Sequence, residues 1–463
     1  MKKLFLLFSA LFFLNPIIYS TIRGVPGSYT TIQATINASS NGDTVLVEPG
    51  IYYANINFRG KNIVVTSRYY LTNDPATINA TIINGSTPIN PDTASCVIIS
   101  SGEDSTTVLQ GFTITGGGGT RWEDEHGLGS WYREGGGILL QYSFPIIQFN
   151  IIRENQITNN SNVTSTGGGG IRMGDSYPRI RNNIIMNNSG KYGAGIVLNF
   201  TGAEISNNVI CLNFGSNSYG SGSGIWMTGP FTRPKLIINN SIVYNSAPTG
   251  TAGVLAASGT TLKNNIIWGN STVIQIQGSV SATYNDVQGG FTGAGNINVD
   301  PVFNDSSYVL QSSSPCVDKG DSSTIYNDLP DLGNPTLAKY PSRGGLRNDI
   351  GAYGGPLAKV LTNSIIGIEP VSTELPWVFK LEQNYPNPFN PVTNINFSVP
   401  VQSFVTLKIY DLLGKEIAVL VNNEMRPGVY RVDFNASGFA SGVYFYKLKA
   451  ADIVITKKMI LTK

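Results

Sequence analysis

The sequence predicts an all-β protein, a right-handed parallel β-helix followed by a small immunoglobulin-like antiparallel β-sandwich. Three observations carry that prediction. A Gly-Ile or Gly-Val step recurs at Gly137, Gly170, Gly195, Gly224 and Gly253, spaced 33, 25, 29 and 29 residues apart. Each step is followed by an asparagine-rich run with two adjacent apolar residues (NIIREN, NNIIMNN, NNVICLN, NNSIVYN, NNIIWGN), entered at Asn150, Asn183, Asn208, Asn240 and Asn265. Over the last 85 residues the periodicity changes to strict alternation. A repeat that keeps its apolar positions while tolerating insertions stacks one unit on the next and leaves the insertions in loops.

Within a repeat, Ile138, Ile171 and Ile196 each precede Ile147, Ile180 and Ile205 by nine residues. Three short strands per coil satisfy this spacing, with inward Ile, Val and Leu forming the core and asparagines at one corner bonding up the stack. A glycine at a fixed corner is expected to supply left-handed backbone angles. Roughly a dozen coils at about 4.8 Å each would make a rod about 55 to 60 Å long. A leucine-rich solenoid would need a leucine consensus, and a propeller would need blades of about 40 residues.

Before the repeats, Ile32 and Ile36 sit four apart on a short helix suited to capping one end of the stack. Turns at Asn41-Gly42-Asp43 and Glu48-Pro49-Gly50 flank a buried strand at Val45 to Val47, and strands and turns alternate from there into the regular coils. Past the repeats, Tyr308 to Leu310 and Ile350 to Tyr353 read as short edge strands that close the far end of the rod. The β-helix unit is expected over residues 21–356 and a linker over 357–378. The sandwich follows over 379–463, with alternating sets such as Ile395, Phe397, Val399 and Tyr444, Tyr446, Leu448, and turns at Gly414, Gly428 and Gly442.

Composition narrows the function classes. Charged residues are only 13% of the 463, the formal net charge is +2, and no run of lysine or arginine offers a phosphate-binding stripe, so nucleic acid is not an expected partner. Residues 1–20 read as a signal peptide, with Lys2 and Lys3 ahead of an apolar run from Leu4 to Leu14, and no later stretch is long and apolar enough to span a bilayer. Three widely separated cysteines, Cys96, Cys211 and Cys316, suit neither a disulfide framework nor a cysteine metal site, and Cys211 reads as a small core residue.

Chemistry is concentrated in one insertion, GTRWEDEHGLGSWYREGG, between Gly119 and Gly136. It holds the only histidine. Glu123, Asp124, Glu125, His126, Arg133 and Glu134 are the candidate catalytic residues, because hydrolysis or elimination of a glycosidic bond needs positioned acids and bases. Trp122, Trp131 and Tyr132 are candidate substrate-binding residues, since an aromatic face suits a sugar ring. Acids beside aromatics can also take Ca2+, although no cofactor is evident. A solvated loop whose tryptophans pack back on the rod is the alternative. Arg172, Arg179 and Arg181 alternate along one coil and would either meet an anionic polysaccharide or be solvated turn residues. Asp175, in GDSYP, reads as a turn residue, and Glu204 is the other notable acid of the repeats.

From Ser28 to Pro356 the chain resembles the right-handed β-helix repeat proteins of the pectate-lyase-like superfamily. The likeness rests on TIQATINASSNGDTVLVEPGIYYANINFRGKNIVVTS, GFTITGG, VDPVFNDSSYVLQSSSPCVDKGD and NDIGAYGG. The polygalacturonase Asn-Thr-Asp, Asp-Asp and Gly-His-Gly motifs are missing, so that activity is not carried over, and the aspartate cluster of a pectate lyase calcium site is missing too; a polysaccharide lyase or glycoside hydrolase of this superfamily stays as the enzymatic alternative. The last block resembles the type A C-terminal sorting domain of the type IX secretion system. NYPNPFNP carries Asn384, Pro386, Asn387, Pro388 and Phe389; IYDLLGKEI carries Tyr410, Asp411 and Gly414; SGVYFYKL carries Gly442 and Tyr444; and KKM carries Lys457 and Lys458. That resemblance implies recognition by the outer-membrane translocon of Bacteroidetes-like bacteria, with release or attachment at the cell surface. Together these readings lead to a secreted or surface-attached rod that binds or acts on an extracellular polysaccharide, or to a structural or adhesive surface protein.

Overall fold

The computed structural model describes residues 20–124, 126–215, 222–230, 232–304, 307–340, 344–361, 368–372, 378–400, 403–425, 428–436, 438–450 and 452–462. The expected signal peptide therefore lies outside the described residues, apart from Ser20. Residues 22–287 wind into a parallel β-helix with three faces, formed by parallel sheets of ten, nine and eight strands. Each complete coil contributes one strand to each. In the coil from Ile138, Ile138–Gln141 joins the eight-stranded third sheet, Ile146–Gln148 the ten-stranded first sheet and Ile151–Arg153 the nine-stranded second sheet. Ten strands span nine intervals, roughly 43 Å at about 4.8 Å each. The rod is shorter than a dozen coils because residues beyond Val287 leave the coil path.

Burial of one stacked column after another holds the rod together. Ile83, Ile114, Ile152, Ile185, Ile210, Ile242 and Ile267 occupy the same register position in successive coils of the second sheet, and every one is fully buried. Each contributes about 1.5–3 kcal/mol of transfer free energy. The helix Ile32–Ala38 begins at Thr31, whose hydroxyl accepts from the Ala34 amide, and buries Ile32 and Ile36 against the first coils. The expected cap is present.

Two asparagine ladders line the corners beside the second sheet. In the first, the Oδ1 of Asn183, Asn208, Asn240, Asn265, Asn285 and Asn296 each accepts from the backbone and side-chain amides of the ladder residue one coil back, beginning with Asn150. A second ladder runs in the same way through Asn155, Asn188, Asn213, Asn245 and Asn270. Its members close the five motifs that Asn150 and its counterparts open. Buried amides paired so completely fix the register of each coil on the next.

The repeat glycines have a different role from the one expected. Gly137, Gly170, Gly195, Gly224 and Gly253 are not left-handed. A Cβ at Gly195 would stand 2.5 Å from the carbonyl oxygen of Gly224 in the next coil, and the other four meet the next coil just as closely. Close approach of backbones excludes a side chain there. Left-handed angles fall two residues earlier, at Gly135, Gly168, Gly193 and Gly222, and on Asn182, Asn207, Asn239 and Asn264 just ahead of the first ladder. Asparagine tolerates that region because its short amide bonds locally.

The segment after the coils does more than close the far end. Residues 288–298 cap the last coil, with Ile297 bridging Asp286 and Asn296 ending the ladder. Residues 303–361 then run back along the outer face of the second sheet as a strap. Cys316 meets Asp286, Gly351 bonds Asn264, Ala352 bonds Ser241, Asn207 bonds Ala352 and Gly354, and Lys359 reaches Asn73 near the start of the rod. Neither expected edge strand forms among these residues; Leu310 makes one bridge to Phe303, and Ile350 to Tyr353 lie in turns. They serve instead as apolar cover. Tyr308, Leu310, Cys316, Ile350, Tyr353 and Leu361 bury the outward side chains of the sheet, including Ile151, Ile184, Val209, Val243 and Ile266. Cys211 belongs to this outer layer rather than to the inner core, and all three cysteines are buried and unbridged.

The C-terminal unit packs two four-stranded sheets. Ser403–Tyr410, Glu416–Met425, Gly442–Ala450 and Ile453–Leu461 form one, antiparallel throughout. Val392–Val399, Gly428–Asn435 and Lys380–Leu381 form the other with Ile368–Ser372, which pairs with Gly428–Asn435 although it falls in the stretch read as linker. Ala358 and Leu361, in the same stretch, are buried at the end of the strap.

Candidate functional site

The insertion folds as an antiparallel hairpin, Gly119–Glu123 against Trp131–Glu134, with Trp122 opposite Tyr132 and Thr120 opposite Glu134. It is extended by Thr93–Ala94 on one side and Ser165–Gly167 on the other. Alternation puts Trp122 and Glu134 on the face toward the rod, where both meet Arg172. Arg172 points outward from the third sheet, yet it is fully buried: its Nε lies 3.2 Å from Glu134 Oε2, and its guanidinium stacks 3.6 Å from the Trp122 ring centre. Gln141 Oε1 also accepts from Arg172. Glu134 further accepts from Trp122 Nε1 at 3.1 Å and from the Tyr192 hydroxyl.

Burial raises the Glu134 carboxyl above its ordinary range, against the opposing pull of Arg172 and of the Tyr192 and Trp122 donors. Burial and the Glu134 charge hold Tyr192 well above an ordinary phenol, so it stays a donor. Arg172, Glu134 and Tyr192 are mutually satisfied and out of solvent. They anchor the hairpin rather than face a substrate.

The hairpin tip reaches two coils further along. His126 Nε2 is 3.0 Å from Asp175 Oδ1, and its ring stacks on Phe200 with centroids 3.7 Å apart. Asp175, read from the sequence as a turn residue, has a left-handed φ of 42° and is also the partner of the histidine. Glu123 Oε1 accepts from the Gly129 amide and Asp124 Oδ1 from the His126 amide, so both acids hold the loop. Glu125 lies outside the described residues. On the outer side, Arg133 is buried against Pro91 and Asp92, while Arg121 stacks over Trp131 at 3.8 Å. The five described catalytic candidates thus do not converge on one accessible point, and the loop packs its tryptophans against arginines.

The three arginines of the repeat do not form a set. Arg179 and Arg181 belong to the first sheet, around a corner from Arg172. Arg179 pairs with Glu204 at 3.1 Å in the open, and Arg181 donates to Gln148 at 2.8 Å.

Beyond the hairpin the third sheet opens. Its outward column reads Leu139, Arg172, Val197, Trp226 and Leu255. The hairpin region buries the first three, whereas Trp226 and Leu255 are half-buried and Thr228 and Gln277 reach solvent beside them. Tyr192 props the Trp226 ring at 4.8 Å between centroids, and Tyr192 is itself held by Glu134. Trp226, Tyr192 and Phe200 escaped the sequence reading. The signal was the residue after each Gly-Ile or Gly-Val step, which alternation turns outward. Among the described residues no three His, Cys, Asp or Glu side chains come together as a metal-binding group.

In the sandwich, the NYPNPFNP residues are structural. Asn384 is buried, its amide donating to the Tyr446 hydroxyl and its side chain to Thr393 and the Pro386 carbonyl. Pro386 and Pro388 follow cis peptide bonds, Asn387 accepts from the Ile460 amide, and Phe389 packs on Phe434. Asp411 closes its turn by accepting from Leu413 and Lys415, with Gly414 at a φ of 79°. Tyr410 stacks under Lys447, Tyr444 donates to the Ala440 carbonyl, Gly442 opens its strand exposed, and Lys457 and Lys458 lie on the last strand.

Fold and tail together define a β-helix rod carrying an export module. Residues 383–462 match the family described as the secretion system C-terminal sorting domain, that of the type IX route. The protein is accordingly exported across the outer membrane to the cell surface or extracellular space, and its tail engages the secretion machinery. Comparison with curated proteins and with solved structures returns no significant match. No described helix is long and apolar enough to cross a membrane.

Proposed function

We propose that the rod is a glycan-binding surface protein whose site is the open part of the third sheet next to the hairpin. The observation that supports it is the Trp226 ring, half-exposed on a flat parallel sheet and propped by Tyr192, with Thr228 on its own strand and Gln277 two coils further along as hydrogen-bonding groups. A tryptophan face and polar groups on a rigid scaffold suit a sugar ring. The hairpin tip, with His126, Asp175 and Phe200, forms one wall. Binding is favoured over turnover, because Glu134 and Arg172 are buried against each other, Arg133 is buried against Pro91 and Asp92, and Glu123 and Asp124 are engaged in their own loop. Ca2+ is not needed for this reading. The test is co-sedimentation of the full chain with a panel of insoluble polysaccharides, together with assays for new reducing ends and unsaturated products. Retention that falls at least tenfold in Trp226→Ala, without product release, is expected; retention unchanged in that variant, or absent on every glycan, sinks the reading.

A further inference from the structure

The exposed part of the third sheet has an unusual charge composition for a polysaccharide surface. Across its eight strands, Ile56–Asn57, Val97–Ile99, Ile138–Gln141, Ile171–Gly174, Ile196–Asn199, Ile225–Thr228, Val254–Leu255 and Ile276–Gln277, the single charged residue is Arg172. That cation is neutralised by Glu134, covered by Trp122 and fully buried. The next residue toward the hairpin tip that carries charge is an acid, Asp175, at the C-terminal end of the same strand. Arg233, which follows the strand of Trp226, is turned away toward the rings of Phe144 and Tyr177, each 5.1 Å from its guanidinium.

We infer that the ligand is a neutral polysaccharide, not a polyuronate or sulfated chain, an inference that rests on the glycan-binding reading above. A uronate on every residue needs a cation or a bridging divalent ion at each subsite to offset its lost hydration. The open strands supply none. Neutral hexoses ask for an aromatic face and for hydroxyl partners of both kinds. Trp226 supplies the first, and Thr228 and Gln277 supply the second; the Gln277 carbonyl oxygen accepts from Thr251, which leaves its amide to donate. With no ion pairs formed on binding, affinity should be nearly independent of salt.

The experiment is calorimetric titration of the full chain with length-matched soluble probes: hexamers of glucose, mannose and xylose on one side, hexagalacturonate and hexaguluronate on the other. Each is run at about 20 and 500 mM NaCl, a range over which screened charge pairs weaken strongly, and with and without calcium. At least one neutral hexamer should bind tenfold or more tighter than either uronate, with less than a twofold change across salt and loss in Trp226→Ala. Thr228→Lys, which adds a cation to the face, should raise uronate affinity at low salt. A uronate that binds tighter than every neutral probe and is lost in Trp226→Ala overturns the inference while leaving the site intact. Binding of neither class overturns the glycan reading and this inference with it.

Discussion

Asn208 is the place where the ladder architecture can be tested most sharply. It is fully buried in mid-rod and its side chain is fully engaged: Oδ1 accepts from the backbone and side-chain amides of Asn183, and the two Nδ2 hydrogens are shared among the carbonyls of Ile180 and Ser206 and Asn240 Oδ1. At a net worth of about 0.5–1.5 kcal/mol per bond, Asn208→Ala should cost about 4 kcal/mol, because the Asn183 amide is left buried without its acceptor. Asn296 ends the same ladder with four such bonds, yet it is half-buried, so water replaces much of what alanine removes. About 1 kcal/mol is expected there. Asn208→Asp keeps the acceptor but cannot donate, and it sets a carboxylate against Asn240 Oδ1, so it should be no better than alanine. Differential scanning calorimetry of the three variants reads the order directly. Equal melting temperatures for Asn208→Ala and Asn296→Ala, or a cost below about 1 kcal/mol at Asn208, would refute the claim that buried ladder bonds set coil register.

Other consequences are open to the same measurements. Gly195→Ala places a Cβ 2.5 Å from the Gly224 carbonyl oxygen and should cost about 1–3 kcal/mol, whereas Gly24→Ala, with nothing within 4 Å, should leave melting unchanged. Glu134→Ala strands a buried guanidinium and should destabilise the hairpin by about 3–5 kcal/mol; the double variant with Arg172→Met should cost clearly less than the sum of the singles, read by thermal melting and by protease cutting within residues 119–134. Burial and the neighbouring Asp349 push Asp328 in the strap up to about 8 from an ordinary 3.8. A carboxyl raised in the folded state contributes stability that is complete below its unfolded value and lost as pH rises through the folded one. Strap stability should therefore fall between about pH 4 and 8, and Asp328→Asn should flatten that slope in hydrogen exchange of residues 303–361.

The inner architecture was legible because it repeats. A Gly-Ile step every two or three dozen residues and an asparagine at a constant offset each mark a column, and stacking converts a column into a sheet or a ladder. What the glycine does was not legible: close approach and left-handed backbone both exclude a side chain, and only the position of the next coil distinguishes them. The second ladder was present in the final asparagine of each motif but looks like any turn residue until its neighbours are stacked. The outer layer was harder. Paired β-branched residues such as Ile151 and Ile152 signal burial on both faces of a strand, yet nothing periodic in residues 303–361 says that they supply the cover. Arg172 reads as solvated because its partners, Trp122 and Glu134, come from an insertion dozens of residues earlier.

The strap changes how this rod should come apart. A bare solenoid is nearly one-dimensional, so coils melt or form locally and stability adds along the stack. Here residues 303–361 touch coils from Asp286 back to Asn73, and each of those coils loses its outer cover when the strap lifts. Loss of one contact is therefore shared by many coils, and unfolding should be a single cooperative event rather than fraying from an end. The strap also follows every coil in the chain, so the apolar outer face of the second sheet stays uncovered until synthesis has passed Leu361. Folding can be completed only late, and the interval before it is when a chaperone or a neighbouring chain has its best access.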